Sequence, residues 1–382
     1  MDKSCEEKAA KGPFVVVSDV HLGGAGSKYK EFREFLAWLS KLDGDGTPLN
    51  FRGFTLNIRK PGTFVLLGDI LELWDPRKDD RNYVVQDFLT PVSILSNLDS
   101  DIIYVLGNHD EKLRDLKQIW DEEGISFPYG GSGKFRIMYR TYPERKKGSK
   151  TVEGIKIGIN RYAFLHGHQF DSLQIFYRLS CTVGARFDPV DWFQDLANLS
   201  FTKNIKFRLN KSTVAFAILF LIYTASYLRI KDTPIGSRLG VGWVIVSGFF
   251  VLIIFPRLIT SSYGVFWPCM KRILSISKKG KSVEDVVRAR YLKIKGQFIK
   301  ADTIVFGHTH IPGSYYMKGE DKLFINTGCW VEECEETKRN TFLYIDDEGA
   351  FLLKWDQNGV QCLEKHRRID KLDSQSRKCY KC

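Results

Sequence analysis

Acidic side chains nearly vanish from one stretch of this 382-residue chain: residues 201–300 hold 3 Asp and Glu against 18 Lys and Arg. That stretch carries +15 where the whole chain carries +12, so the other 282 residues sit near −3 and the basic surplus is local. Cysteine is also sparse. Its eight copies (Cys5, Cys181, Cys269, Cys329, Cys334, Cys362, Cys379, Cys382) lack the spacing of a disulfide framework, as a reduced compartment leads one to expect. The closing Cys379-Tyr-Lys-Cys382 supplies only two zinc ligands, and a Lys in its aliphatic slot fits prenylation poorly. The first residues, MDKSCEEKAAKGPF, lack the apolar run of a cleavable signal peptide, so the expectation is a chain that stays where it is made. There is no internal repeat. An apolar content of 43% with 27% charge excludes wholesale disorder and suits one large domain or two modest ones.

Histidine is scarce and clustered. Six of the seven fall in Asp19-Val-His21, Gly107-Asn-His-Asp110, His166-Gly-His168 and Gly307-His-Thr-His310, with Gly68-Asp69 between the first two blocks. Imidazole, carboxylate and one amide oxygen suit borderline divalent ions better than Mg²⁺ or Ca²⁺. Each block follows a short apolar run of strand type: Phe14–Val17, Phe64–Leu67, Ile102–Leu106, Tyr162–Leu165 and Thr303–Phe306. Ligands placed after successive strands converge on one sheet edge, where α/β folds bind their ligands. One Asp-x-His or one Gly-Asp is common by chance, and Gly107-Asn108 alone could be a turn. Five such blocks in order point to a metal site. The seventh histidine, His366, lies in a basic run and is read as solvated.

Residues 14–170 alternate apolar strands with helical patterns, as in Tyr29–Leu42, where Phe32, Phe35, Leu36 and Leu39 share a face. The strand pattern resumes at Thr303 and ends in a strand pair around Asp346-Asp-Glu-Gly349. Residues 12–170 and 301–360 therefore form one discontinuous domain, 171–300 an insert, and 361–382 a charged tail. Within the insert, 212–228 and 239–256 are free of charge and reach the lower limit for a spanning helix, roughly 17 residues. Pro234 and Gly236 lie in the polar turn between them, so the pair reads as a helical hairpin. Basic residues crowd its outer flanks, which for a two-pass span would put both flanks and the catalytic part in the cytoplasm. A hairpin lying in one leaflet, or a buried helix pair, fits the same residues.

The ordered blocks Asp19-x-His21, Gly68-Asp69, Gly107-Asn-His-Asp110, His166 and Gly307-His-x-His310 resemble the calcineurin-like metallophosphoesterases over about 220 residues outside the insert. The resemblance implies an α/β fold of α+β type, a four-layer αββα sandwich with a dinuclear site at the strand ends. It implies that Asp19, His21 and His310 hold one metal, that Asn108, His166 and His308 hold the other, and that Asp69 bridges them. Two divalent ions are expected, Mn²⁺ first, with Fe, Zn or Co as alternatives. A hydroxide between the ions would attack phosphorus while both ions take up charge on the phosphoryl oxygens. His109 would sit beside the phosphate as donor or acid, with Asp110 orienting it.

A narrower resemblance to UDP-2,3-diacylglucosamine hydrolases lies in Gly68-Asp-Ile-Leu-Glu72-Leu-Trp74, in His166-Gly-His-Gln-Phe-Asp171 leading to Arg178, and in the basic, apolar insert. It implies hydrolysis of a phosphoester or pyrophosphate on a lipid-linked substrate at an anionic membrane surface. Glu72, Trp74, His168, Asp171 and Arg178 become candidates for substrate contact. The chain departs from that family at His109, where Arg is usual, and at His168, where Asp is usual. Two other readings remain. A phosphodiesterase, nuclease or phosphomonoesterase of the same superfamily would act on a soluble substrate, and a scaffold would keep the fold without chemistry. Aromatics confined to charge-free runs argue against a nucleic-acid groove, which mixes aromatics with basic residues.

Overall fold

A computed structural model of the chain describes residues 11–73, 76–77, 82–110, 113, 133–145, 149, 151–168, 211–230, 243, 247, 282–288, 299–367 and 380–381. Two compact units emerge, Met1–Ile175 with Gly280–Cys382, and Phe176–Lys279.

In the first unit β1 (Phe14–Val17) leads to α1 (Tyr29–Ser40), the hairpin β2 (Thr47–Phe51) and β3 (Phe54–Ile58), and β4 (Thr63–Leu67). Then come α2 (Asn82–Ser96), β5 (Asp101–Val105), β6 (Phe135–Met138), β7 (Thr141–Tyr142), β8 (Val152–Glu153), β9 (Ile155–Ile157) and β10 (Asn160–Leu165). The second unit contributes α3 (Lys211–Ile230), and the chain returns through α4 (Val283–Val286) and β11 (Ile299–Lys300) to β12 (Thr303–Phe306). Strands β13 (Gly313–Met317), β14 (Lys322–Asn326), β15 (Thr341–Asp346), β16 (Gly349–Asp356), β17 (Gly359–Arg367) and β18 (Tyr380–Lys381) complete it.

One sheet has the order β18-β17-β16-β15-β1-β4-β5-β6, and the other β13-β14-β12-β10-β7 with β9 on β10. The ligand-bearing strands run parallel within each sheet: β1 with β4, β4 with β5, and β10 with β12. Their apolar runs are continuous because both faces are buried. Alternate residues enter different cores. Val15, Val17, Phe64 and Leu66 pack with Phe32, Phe35, Leu36 and Leu39 of α1, whereas Phe14, Val16, Val65 and Leu67 pack with Phe164, Val305 and Ile325 of the other sheet. Ala163, Leu165, Ile304 and Phe306 turn outward onto Val283 and Val286 of α4. The layers are helix, sheet, sheet, helix. All four apolar residues of the α1 face are fully buried, each contributing roughly 1.5–3 kcal/mol.

The expected charged tail is partly ordered. Residues up to Arg367 continue β17, Val360 and Cys362 pack on one core and Leu363 on the other, and β18 pairs back onto Glu364 and Lys365. His366, read as solvated, is largely buried, with Nε2 3.6 Å from Glu364 Oε2. In the second unit α3 coincides with the first apolar run. Ile218, Leu219, Leu221, Ile222 and Leu228 are all more than half exposed, and Tyr227 stacks on Trp243 of the second run at 5.2 Å between centroids. Among the described residues no helix is long and apolar enough to cross a membrane, so the two-pass hairpin finds no support there. Most of 239–256 lies outside the described residues.

Candidate metal centre

The ligand candidates leave the strand ends in an unusual backbone conformation. Asp19, His21, Asp69, His308 and His310 have φ of 53°, 51°, 52°, 67° and 58°, the left-handed region that non-glycine residues occupy at a cost of roughly 1–3 kcal/mol each. Asp and His tolerate it better than most. The turns throw successive side chains inward, and the network below holds them there. Gly107 and Gly307 permit the crowding: a Cβ on Gly107 would lie 2.2 Å from Asp69 Oδ1, and one on Gly307 would lie 2.4 Å from Asp19 Oδ2.

Among the described residues four groups of donors form, two of them from the expected ligands. Asp19, His21 and His310 make one, and Asp69, His166 and His308 the other, each with ligand atoms within 4.8 Å. His310 Nε2 is 3.1 Å from Asp19 Oδ1, and His166 Nε2 is 3.0 Å from Asp69 Oδ2. Asp69 Oδ2 also faces His21 Nε2 at 4.0 Å, so one oxygen looks toward both groups. The other oxygen of each carboxylate is occupied, Asp69 Oδ1 accepting from His109 N at 2.8 Å and Asp19 Oδ2 from His308 N at 2.9 Å. Asn108 follows β5 in the same turn as His109, its Oδ1 buried.

The hydrogen-bonding pattern calls for a cation. His166 Nδ1 is 3.1 Å from Leu67 O, a pure acceptor, so Nδ1 carries the proton. In the neutral ring Nε2 is then a lone pair, buried without a hydrogen-bond donor and aimed at a carboxylate oxygen that is also a lone pair. Either a proton or a metal must lie between them. In the metal-free chain burial pushes the His166 imidazole down, but Asp69, aided by Asp19 and Asp110, outweighs it and lifts it to about 9. Burial likewise pushes the Asp19 and Asp69 carboxyls up, and His310 and His166 respectively reverse this, holding both well below the usual range. The donor set of imidazoles and carboxylates fits divalent transition ions.

Glu72 is buried behind the cluster, its Oε2 2.8 Å from His21 Nδ1 and its Oε1 2.8 Å from His109 Nδ1. It accepts from Nδ1 of both rings and so fixes their tautomer, leaving Nε2 of His21 for a metal. Sequence reasoning offered Glu72 for substrate contact and Asp110 as the orienter of His109; the structure gives the orienting role to Glu72. Asp110 accepts instead from Gly107 N, Ile70 N and the Tyr104 hydroxyl, at 2.6, 2.8 and 2.7 Å, bracing the turn that carries Asn108 and His109. The signal for Glu72 was its place three residues after Asp69, where the turn brings it back to the centre. His168 is buried, its ring 5.4 Å from that of His166 and 6.4 Å from that of His308, and burial with those two imidazoles holds it well below the ordinary histidine range. Trp74, Asp171 and Arg178 lie outside the described residues.

A family model described as calcineurin-like phosphoesterase matches residues 12–312. The chain belongs to the calcineurin-like phosphoesterase family. The phosphoesterase is a metal-dependent hydrolase of phosphoric esters. No curated protein matches it. Among solved structures, a conserved uncharacterized protein of Streptococcus pneumoniae TIGR4, titled a predicted phosphoesterase, is 12% identical over 94% of this chain and 99% of its own. The TM-score of 0.29 is too low for that likeness to bear on the fold.

Proposed function

We propose that this phosphoesterase hydrolyses a phosphoester or pyrophosphate on a lipid-linked substrate at an anionic membrane surface, in the manner of the UDP-2,3-diacylglucosamine hydrolases, with Mn²⁺ as the preferred ion. The observation that carries the reading is α3, a 20-residue helix on which Ile218, Leu219, Leu221, Ile222 and Leu228 are more than half exposed. It lies in the basic segment, which the chain inserts between His168 and His308. Exposed leucine and isoleucine beside Lys and Arg suit a headgroup boundary, where apolar burial and attraction to anionic lipid act together. The helix lies on the surface in this reading and does not need to span.

Within the site, Asp19, His21 and His310 would hold one ion and Asn108, His166 and His308 the other, with Asp69 shared between them. Bound there, the ions supply an acidified water and a sink for phosphoryl charge. Glu72 holds His109 by Nδ1, so Nε2 of that ring is the atom that meets the substrate, and in the imidazolium form it carries the proton given to the leaving oxygen, the ring returning to neutral Nδ1–H. The His109 backbone N donates to Asp69 Oδ1 at 2.8 Å, tying the turn that carries the acid to a ligand.

The test is to incubate the Mn²⁺-loaded protein with nucleotide-linked lipids, phosphate-terminated lipids and an aryl phosphodiester, identifying the released group by mass. Turnover of the lipids in anionic vesicles, well above that of the aryl ester, is expected. Turnover of the aryl ester alone would favour a soluble substrate and reject the lipid reading.

A further inference from the structure

A second set of donors, of different chemistry, lies beside the dinuclear cluster. Cys329 and Cys334 follow β14, both buried, and their sulfurs lie within 4.8 Å of each other and of a His310 ring nitrogen. The two sulfurs are joined as a disulfide, although the spacing of the eight cysteines suggested no framework. Their loop is fastened to the turn that carries Asp19 and His21: Trp330 N donates to Asp19 O at 3.0 Å, and Glu332 N to Gly26 O at 2.8 Å.

We propose that, when reduced, Cys329 and Cys334 join His310 in a thiolate site for a soft divalent cation of the zinc class, and that this site competes with the catalytic centre for His310. The inference rests on the two-ion reading of that centre. A dithiol reductant cleaves the S–S bond, leaving two thiols and being itself oxidised to a cyclic disulfide. Cation binding then releases two protons as the thiols become thiolates. Hardness separates the two sites, since thiolate with imidazole selects zinc or cadmium, whereas carboxylate with imidazole also accepts manganese.

His310 cannot serve both. Its Nε2 faces Asp19 Oδ1 at 3.1 Å, and a neutral imidazole has one lone pair to give. A soft cation on the sulfurs therefore withdraws a ligand from the Asp19 half of the centre. Peroxide reverses the device: it takes two electrons and two protons from the thiols, forms the disulfide and leaves as two waters. The oxidised protein has no thiolates there and escapes soft-cation inhibition.

The experiment titrates Cd²⁺ into full-length, Mn²⁺-loaded protein, following the ultraviolet thiolate-to-cadmium band and counting Mn²⁺ released. Dithiol-reduced wild type, peroxide-treated wild type and Cys329→Ser/Cys334→Ser are compared, so that the other six cysteines are common to both chains. Reduced wild type should show an added band and lose about one Mn²⁺ per chain. The double variant should need more than about tenfold higher Cd²⁺ to lose it. Cys334→Ser alone, at the loop edge, repeats the test with the smaller perturbation. A band and Mn²⁺ release of equal size in reduced wild type and both variants would overturn the proposal, as would a band without Mn²⁺ release. Failure of wild type to bind two Mn²⁺ would instead reject the two-ion reading and leave the cadmium band to be judged alone.

Discussion

Leu67 at the end of β4 and Leu221 in α3 stand in equally apolar surroundings in the sequence, yet the first is fully buried and the second is 64% exposed. Sequence apolarity records how much surface a segment wants to hide, and the partner has to be found elsewhere. In the catalytic unit the partner is another layer of the same chain, on both faces of every ligand-bearing strand. Around α3 the described residues supply no such cover for five large side chains. The two regions should fail differently. Damage to the strand ends should abolish hydrolysis of any substrate, and damage to the insert should spare a small soluble one.

The largest effect is expected from Asp69→Asn. Its Oδ2 faces both donor groups, and loss of the shared anion should reduce turnover of every substrate about 10³-fold or more, with Mn²⁺ stoichiometry falling and the circular dichroism spectrum retained. Wild-type turnover in a metal-verified variant would end the two-ion reading. Gly107→Ala comes next. The new methyl would meet Asp69 Oδ1 at 2.2 Å, displacing the carboxylate, and a misplacement of about 1 Å can cost about 100-fold. Turnover assays at saturating Mn²⁺ check it.

Glu72→Gln keeps the shape of the side chain and removes its charge. Two imidazoles depend on that carboxylate at 2.8 Å, so kcat and Mn²⁺ affinity should fall about 10- to 100-fold together. Asp110→Asn, which does not touch the His109 ring through any of its three hydrogen bonds, should reduce stability more than it changes the pH profile. The reverse pattern would restore the dyad that the sequence suggested.

That dyad shows where the sequence stops being legible. The apolar strand runs, the helix face of Tyr29–Leu42 and the five ligand blocks were readable because each has a period or a spacing, whereas the four layers came only with the family resemblance. The parallel strands need both faces apolar, and Asp19, Asp69, Asn108, His166 and His308 each follow such a strand. The contacts of Glu72 were not legible because its partners, His21 and His109, lie 51 and 37 residues away, and only the turn after β4 brings them together. The β17 extension was hidden by charge, since Glu364, Lys365 and Arg367 look like tail while Val360, Cys362 and Leu363 pack. The Cys329–Cys334 contact was hidden for a different reason: two cysteines five residues apart match no framework or metal spacing, so the loop that joins them leaves no trace in the sequence.

A milder effect concerns pH. In the metal-free chain His166 is lifted from 6.5 to about 9. A raised pKa means that the stabilisation it brings is fully present below about pH 6.5 and is lost as pH rises through about 9. The Tm of metal-free protein should therefore decline across that window. Mn²⁺ affinity should rise over the same window, because proton and ion compete for Nε2. A metal-free Tm that climbs from pH 6.5 to 9 would contradict the buried His166–Asp69 pair.

The smallest effect on chemistry is expected from the insert, and there the comparison is sharpest. Leu221 and Ile222 are 64% and 57% exposed on α3, so Leu221→Glu/Ile222→Glu removes apolar surface without opening a core. Burial of each side chain at a lipid interface is worth roughly 1.5–3 kcal/mol, and new anionic charge is repelled by an anionic surface. Partition onto anionic vesicles should fall more than about tenfold, and lipid turnover with it, while aryl phosphodiester turnover stays within about twofold. Equal loss on both substrates would make α3 a structural support of the catalytic unit, and its apolar face would then need a protein partner to cover it.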